Sequence, residues 1–370
     1  MASKRKTKTT ELTVQPDPRA SLDIKAFLAA TRPVLAQLKE DLQARSAASP
    51  AVRSALAAAH ARDRDAGRTG DSFAVWREHF IEQVAAAWVL SCAFVRTLED
   101  RGLLGHARIA GPGAQDSQRL FFELSPSLTE RDYLLTVFRE LSHSPATRAL
   151  FDGAHNPVWL LAPSGDVAKS LIALFRSPNA DAPAFRFGQA STHFLGELYQ
   201  DLDEAVRKRF ALLQTPPFVE SYILDGTLEP AIERFGMDET TLIDPACGSG
   251  HFLLGEFERL YEHRRRKEPG LGEREAVRKS LDAVAGADLN PFAVAIARLR
   301  LTLAALDKAG FTTLAGAPSL PLHLVVADSL LYNPHAKQLD FAHREGQDAE
   351  AWRGQLYALE DPRAARDVLF

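Results

Sequence analysis

Apolar residues in the first half of the chain recur at every third or fourth position, the spacing that places them on one face of a helix. The pattern starts near Ile24, is broken at Ser49-Pro50, and resumes in a long apolar helix after Asp71-Ser72. The aromatic residues of that helix are typical of a face packed into a core, although a base-stacking surface has the same spacing. Shorter helices are predicted over 133–141 and 167–175, and Gly- and Pro-bearing loops over 105–118 and 177–188.

The second half of the chain alternates between short apolar runs and helical patterns. Helical stretches begin near Phe194 and at Val219, and they precede three strand–helix units. Strands that alternate with helices of this length predict a parallel sheet with right-handed crossovers. The predicted strands cover 241–243, 283–287 and 322–327, and the helices between them cover 250–266 and 291–308.

These patterns divide the chain into four parts. Residues 1–20 are predicted to be a disordered basic tail, and 21–193 an all-helical domain. Residues 194–330 are predicted to form a Rossmann-like half-domain, followed by a loop and helix over 331–370.

Composition and charge narrow the class of protein. The 370 residues are 46% hydrophobic with a formal net charge of −4, so there is material for two cores and too little positive charge to coat nucleic acid. The two cysteines provide neither a disulfide framework nor a zinc site, and no metal is expected. The basic start is not a secretory signal, and the apolar run from Val84 to Val95 is too short to span a membrane. A cytoplasmic protein is predicted.

Each of the three predicted strands is followed by an aspartate: Asp244, Asp288 and Asp328. In a parallel sheet such positions line up along the carboxyl edge, where ligands bind. The first aspartate leads into a small-residue loop in which Gly248 and Gly250 allow a ligand to approach the backbone closely. Cys247 is interpreted as a small space-filling residue of that loop.

The acids argue against a phosphate ligand. A Walker loop requires Gly-Lys-Ser/Thr, whereas Gly250 is followed by His251-Phe252, and the dinucleotide fingerprint requires a glycine where Leu253 stands. S-adenosylmethionine suits the acids better, since it carries a sulfonium, an ammonium, ribose hydroxyls and an adenine amino group. Asp288 is predicted to accept hydrogen bonds from the ribose and Asp328 from the adenine amino group. Asp328 is alternatively a strand-end turn residue or a helix cap.

The glycine loop also carries a family resemblance. The run DPACGSGHFLL resembles motif I of N6-adenine DNA methyltransferases, the group that includes modification subunits of restriction systems. LLQTPPFVESYIL is similar to their motif X, GADLNPFAVAIARLRL to motif II and VVADSL to motif III, in the γ-type order. The helical first half, with AAAWVLSCAFVRTLEDRGLL, looks most like PglX-type methyltransferases of bacterial phage-exclusion (BREX) systems.

The resemblance implies a fold, a cofactor and partners. The implied fold class is α + α/β: an all-helical domain followed by an incomplete Rossmann-like methyltransferase domain with a parallel sheet. Double-stranded DNA is the implied partner, mainly through a downstream part, along with other phage-defence proteins. The residues implied to hold S-adenosylmethionine are Thr215, Pro216, Phe218, Asp244, Ala246, Gly248, Gly250, Asp288, Asp328 and Ser329.

The catalytic tetrad of that family, Asn/Asp-Pro-Pro-Tyr/Phe, does not occur in the 370 residues. In the family, its polar side chain and a proline carbonyl accept the hydrogens of the adenine amine, and its ring stacks on the flipped base. Asn333-Pro334 follows the third strand too closely and lacks the second proline and the aromatic residue. No catalytic residue is assigned, and the chain is expected to carry the cofactor half of the enzyme and to be inactive alone.

Two other functions stay open on the sequence. The chain is alternatively a non-catalytic cofactor-binding or scaffold subunit of a defence complex, or a methyltransferase that acts on protein glutamine or RNA. DNA contact has one candidate in Arg264-Arg265-Arg266-Lys267, the densest basic cluster. That cluster either contacts phosphates or stabilises the C-terminus of its helix.

Overall fold

Helices make up the amino-terminal part of the molecule. The structure is a computed structural model, and it describes residues 23–65, 69–177, 183–187, 195, 215–329 and 357–358. The predicted tail over 1–20, nearly all of the helical stretch that begins near Phe194, and all but two residues of 331–370, Asn333-Pro334 included, lie outside the described residues. The helices of this part are α1 (Ile24–Ala48), α2 (Pro50–Asp65), α3 (Phe73–Asp100), α4 (Ala114–Leu124), α5 (Glu130–His143), α6 (Arg148–Phe151) and α7 (Gly165–Phe175).

The two long helices begin at side-chain caps that the sequence supplies. The Asp23 carboxylate accepts the N–H of Ala26 at 3.0 Å at the start of α1. Ser72 accepts the N–H of Val75 at 3.5 Å at the start of α3. Each cap satisfies one of the amide groups that a helix leaves without a partner at its N-terminus. The helix boundary predicted at Asp71-Ser72 is therefore confirmed.

Helix α3 is the centre of the helical core. Its residues from Val84 to Leu98 are all buried, and Trp88 is completely enclosed. The helix is long and apolar enough to cross a membrane, but 89% of its most apolar 18-residue stretch is buried inside the protein. Its aromatic face is thus packed into a core, as one of the two sequence interpretations had it.

Strands and helices alternate in the second part of the molecule. Strands β1, β2 and β3 pair in that order and all run parallel, which confirms the predicted parallel sheet after a helical domain. A two-residue strand, β4, pairs antiparallel with β3 and was not predicted. The elements are α8 (Pro217–Phe235), β1 (Leu242–Asp244), α9 (His251–Lys267), α10 (Glu273–Asp282), β2 (Val284–Asp288), α11 (Pro291–Lys308), β3 (His323–Asp328) and β4 (Tyr357–Ala358).

The three strand-end aspartates form a step and are not aligned side by side. Asp244 pairs with Gly286, two residues before Asp288, and Asp288 pairs with Val326, two residues before Asp328. The expectation that they line up in register is therefore wrong. Because the register of a parallel sheet is set by packing between its strands, strand ends alone do not reveal it. The step is an even number of residues, so the three positions still share one face of the sheet.

Helix α11 joins the two parts of the molecule. Its Phe292, Ile296 and Leu299 belong to the core of the helical part. Its Val294 and Leu301 belong to the core beneath the sheet, together with buried residues of α9 and α10. Burial on two opposite faces explains why α11 reads as an almost continuous apolar run.

Three helices were missed by the sequence analysis: α4, the four-residue α6, and α10. Residues 114–118 were predicted as loop but lie in α4, because the glycines and proline just before it form a turn with Gly113 at φ 79° that starts the helix. Helix α10 was missed because it is mostly polar. It buries only Ala276, Val277, Ser280 and Leu281.

Candidate functional site

The small-residue loop between β1 and α9 is held to the neighbouring strand by backbone hydrogen bonds. The N–H of Cys247 donates to the carbonyl of Ala287 at 2.9 Å, and the N–H of Gly250 turns back to Cys247 at 2.8 Å. Gly248 and Gly250 have φ values of 53° and 76°, in the left-handed region that glycine adopts without strain. The loop therefore presents backbone at the carboxyl edge of the sheet, as its glycines predicted.

Asp288 links this glycine loop to the loop after β2. One carboxylate oxygen accepts the N–H of Gly248 at 2.8 Å, and the other accepts the N–H of Asn290 at 2.8 Å. Asn290 in turn caps α11 by accepting the N–H of Phe292 at 3.0 Å. Each carboxylate oxygen can accept a second hydrogen bond, so Asp288 stays available to a ligand's hydroxyl groups.

Close packing behind the loop leaves no room for side chains at Gly250 of the loop and at Gly286 of β2. A Cβ at Gly250 would lie 2.8 Å from the Cβ of Ala297 on α11. A Cβ at Gly286 would lie 2.7 Å from Leu253 and 3.2 Å from the Cβ of Cys247. The loop is thus fixed on its inner side by α11 and β2, and only its outer side is open.

Two groups of the motif I segment are affected by burial. Burial raises the pKa of Asp244, and the nearby Asp288 carboxylate raises it further, although the N–H of Ala246 donates to Asp244 at 3.1 Å. Burial raises the pKa of the Cys247 thiol well above its ordinary value, and the two aspartates add to the effect. A thiol in this surrounding is a poor nucleophile, which supports its interpretation as a space-filling residue.

A group of charged residues near the loop, of which Arg300 and Glu256 are buried and Glu220 is partly buried, was not found by the sequence analysis. Arg300 on α11 donates to the carbonyl of Ser249 at 2.7 Å, and its burial lowers its pKa to about 10. Glu220 on α8 and Glu256 on α9 both have a raised pKa, mainly through burial. The available signal was a charged residue inside an apolar helical run, as in AIARLRLTLAAL.

The structure does not bring all predicted residues together. Thr215 and Pro216 lie at the start of α8, where Phe218 is 76% exposed, and among the described residues no hydrogen bond joins them to the glycine loop. Asp328 ends β3, and Ser329, which follows it, is exposed. Asp244, Ala246, Gly248, Gly250 and Asp288 form one connected group.

A cavity of about 550 Å³ lies between the helical part and the end of β2. Leu289 and Phe292 line it on one side, and Ser91 and Asn156 line it on the other. Asn156 donates to Ser91 at 2.9 Å across the helical core. The cavity begins one residue after Asp288, so the helical part contributes to the surroundings of the site.

The site residues fit S-adenosylmethionine by their chemistry. The connected group offers two carboxylates and exposed loop backbone, and the buried Glu256 has a carboxylate oxygen without a partner among the described residues. Acceptors suit a ligand that carries positive charge and hydroxyl groups.

Comparisons with known proteins agree with this chemistry. Residues 228–343 match a family model described as MmeI, DNA-methyltransferase domain. The adenine-specific methyltransferase PglX of Streptomyces coelicolor is 38% identical over 358 residues, which cover 92% of this chain and 30% of that protein. The resemblance to adenine-specific methyltransferases is confirmed. This methyltransferase-like chain spans about a third of the length of the relative that it matches.

Two solved structures are also similar to the methyltransferase-like chain. A DrdV–DNA complex aligns with a TM-score of 0.40 at 15% identity, covering 83% of this chain and 26% of that one. The type IIL restriction-modification enzyme MmeI in complex with DNA aligns with a TM-score of 0.37 at 15% identity, covering 84% of this chain and 41% of that one.

The basic cluster at the end of α9 is mostly engaged within the methyltransferase-like chain. Arg264 is 3% exposed and pairs with Asp238 at 2.5 Å. Arg265 donates to the carbonyl of Leu271 at 2.5 Å, and Arg266 to that of Glu262 at 3.3 Å. These contacts favour the interpretation that the cluster stabilises the C-terminus of α9.

Proposed function

We propose that the chain is part of a cytoplasmic, site-specific DNA methyltransferase that transfers a methyl group from S-adenosylmethionine to N6 of a flipped adenine, in a phage-defence system of the restriction-modification or BREX kind. The similarity to the PglX methyltransferase supports the adenine-specific activity. Double-stranded DNA and other defence proteins are its proposed partners.

One observation carries the choice of cofactor. The glycine loop is closed by the Asp288 carboxylate bonded to the N–H of Gly248, so a carboxylate occupies the position where a phosphate-binding loop needs its amide groups free. A cationic ligand with hydroxyl groups suits this arrangement, and an anionic ligand does not.

The proposed roles follow the elements that position each residue. Asp244, Ala246, Gly248 and Gly250 would hold the methionine end, and Asp288 the ribose. Asp328 and Ser329, at the end of β3, would hold the adenine. Thr215, Pro216 and Phe218, at the start of α8, would flank the cofactor. When bound, S-adenosylmethionine supplies a methyl group activated by its sulfonium.

The residues of this chain would bind and orient the cofactor, while target chemistry needs further groups. The amine of adenine is a weak nucleophile that requires acceptors for its two hydrogens, and the family tetrad that provides them does not occur in the 370 residues. We therefore propose that these residues alone bind the cofactor weakly at best and do not methylate DNA.

Cofactor choice is tested by calorimetric titration of the full-length natural protein with S-adenosylmethionine, ATP and NAD. Binding of S-adenosylmethionine alone is expected, with at least about a tenfold loss of affinity in Asp244→Asn because a buried acceptor becomes partly a donor. Asp282→Asn, at the exposed end of α10, is the control and should bind normally. Tighter binding of ATP or NAD would contradict the proposal.

The transfer reaction is tested with tritiated cofactor and double-stranded DNA. Full-length protein is expected to label adenine N6, and the 370 residues alone to label nothing. Turnover by the 370 residues alone would overturn the proposal that target chemistry needs further groups.

A second candidate is a non-catalytic cofactor-binding or scaffold subunit of a defence complex. Cofactor binding by the full-length protein without methyl transfer to DNA would support it. The same two assays therefore separate the two candidates.

A further inference from the structure

A carboxylate cluster with one buried and two partly buried members lies close to the glycine loop, where three elements meet. Its members are Glu256 on α9, Asp244 at the end of β1 and Glu220 on α8. Arg300 on α11 faces Glu220 from the other side.

Glu256 is the most enclosed member of the cluster. It is 4% exposed, and its Oε2 atom is shielded from solvent without a hydrogen-bond partner among the described residues. Burial, followed by the charges of Asp244 and Glu220, raises its pKa to about 8. Burial and the unpartnered oxygen both favour the protonated, neutral form of this side chain at pH 7, where an exposed glutamate would be ionised.

Glu220 packs closely against α9 at Gly255, where there is no side chain to keep it away. A Cβ at Gly255, the residue before Glu256, would lie 2.1 Å from Oε1 of Glu220. The glycine thus lets the Glu220 carboxylate pack on the backbone of α9, next to Glu256. Burial raises the pKa of Glu220, and Arg300 acts in the opposite direction.

The cluster contains more carboxylates than the nearby arginine side chains can neutralise. Arg300 already donates to the carbonyl of Ser249. The other charged neighbours of Glu220 are Glu258 and Arg259, which lie on the outer part of α9. Since Arg259 is itself paired with Asp225 and Glu229, three carboxylates beside Arg300 would leave excess negative charge around the buried Glu256. Retention of a proton on Glu256 relieves that excess while no cation is present.

We propose that Glu256 is a specificity-determining residue that reads the positive charge of the cofactor, releasing its proton when S-adenosylmethionine binds. The inference rests on the proposed cofactor and deepens it. Positive charge at the methionine end would take the place of the proton, so that binding a cation costs less than binding a neutral or anionic nucleoside. No covalent step is involved, and the released proton passes to solvent.

The first test counts protons by isothermal titration calorimetry of the full-length protein at pH 7, in buffers of different ionisation enthalpy. Wild type is expected to release about one proton per S-adenosylmethionine bound. Glu256→Gln should release about none, because glutamine has no proton to give up. Glu262→Gln, an exposed glutamate on the same helix, should behave as wild type.

The second test follows the dissociation constant from pH 6 to pH 8. Wild type should bind up to about tenfold more tightly for each unit of pH, and E256Q should show a flat profile over the same range. Equal proton release or equal pH slopes in wild type and E256Q would overturn the inference.

The two proposals fail in different ways. If S-adenosylmethionine does not bind to wild type, the proposed cofactor is wrong and the inference falls with it. If it binds without Glu256-dependent proton release, only the inference is wrong. If E256Q does not fold, Glu220→Gln replaces it: removal of a facing charge should move the midpoint of proton release to lower pH, and an unmoved midpoint would overturn the inference.

Discussion

Asp288, which was predicted to bind the ribose, also holds two loops of the protein in place. Its two carboxylate oxygens accept N–H groups from two different loops, so the position of the glycine loop depends on the residue proposed to bind the ribose. Binding and loop order are therefore coupled at this one side chain.

Replacement of Asp288 by Asn tests that coupling. The amide NH₂ would face one of the two N–H donors, so we expect the free energy of unfolding to fall by about 2 kcal/mol even without cofactor. Thermal denaturation measures the loss. Asp282→Asn, which alters an exposed pair with Arg278 and a 3.5 Å contact with His323, should cost less than about 1 kcal/mol. Equal effects of the two changes would contradict a structural role for Asp288.

Glu256→Gln should change stability in a pH-dependent way in the absence of cofactor. The folded-state pKa of about 8 lies above the value near 4.5 for an exposed glutamate. Below about pH 4.5 the Glu256 carboxyl therefore does not lower the free energy of unfolding of wild type. This free energy falls as pH rises from 4.5 toward 8, and above pH 8 the loss is complete. Gln does not titrate.

Relative to wild type, the free energy of unfolding of E256Q is thus expected to increase by about 3 kcal/mol between pH 5 and pH 8. Urea unfolding at the two pH values measures the difference. E262Q should show no such gain, and a constant difference for E256Q would mean that Glu256 is ionised in the folded protein at neutral pH.

Helices were predicted well where their ends carry local signals. Helix α11 has the predicted bounds, because Asn290 caps it, Pro291 occupies its first position and Gly310 follows its end at φ 72°. Helix α10 has a glycine as N-cap and few buried residues, so its sequence resembles a solvated loop. The glycine loop was found for the same local reason, whereas Glu256 and Arg300 depend on which side of a helix meets which neighbour.

In the turn between β1 and α9, glycine is needed for two reasons that can be tested separately: a left-handed backbone and lack of space for a side chain. Gly250→Ala would force a left-handed backbone and a 2.8 Å contact with Ala297, so we expect a loss of about 3 kcal/mol. Gly248→Ala meets only the backbone cost, about 1 kcal/mol, since nothing lies within 4 Å of its Cβ. Gly270→Ala, with neither restriction, is the control for denaturant unfolding. Equal losses at Gly250 and Gly248 would show that α11 yields to the added methyl.

At the scale of the whole molecule, the two predicted domains share helix α11, which contributes residues to both hydrophobic cores. Residues 21–193 and 194–330 were separated because helical spacing gives way to alternating strands. Helix α11 lies in the second part by sequence, yet five of its thirteen buried residues belong to the core of the first. Spacing along the chain reports that a helix is buried on two sides but not what covers each side.

If α11 couples the parts, they should unfold together. Leu299→Ala removes a side chain from the helical core and Leu301→Ala one from the core beneath the sheet, and both residues are at most 2% exposed. We expect each change to cost about 3 kcal/mol and to leave a single transition, in which tryptophan fluorescence of the helical part and hydrogen exchange of β2 change at the same denaturant concentration. Leu124→Ala, at a residue 76% exposed, should cost little. Two separate transitions in L299A, with β2 still protected after the helical part unfolds, would show that the cofactor-binding part is stable without the helical domain.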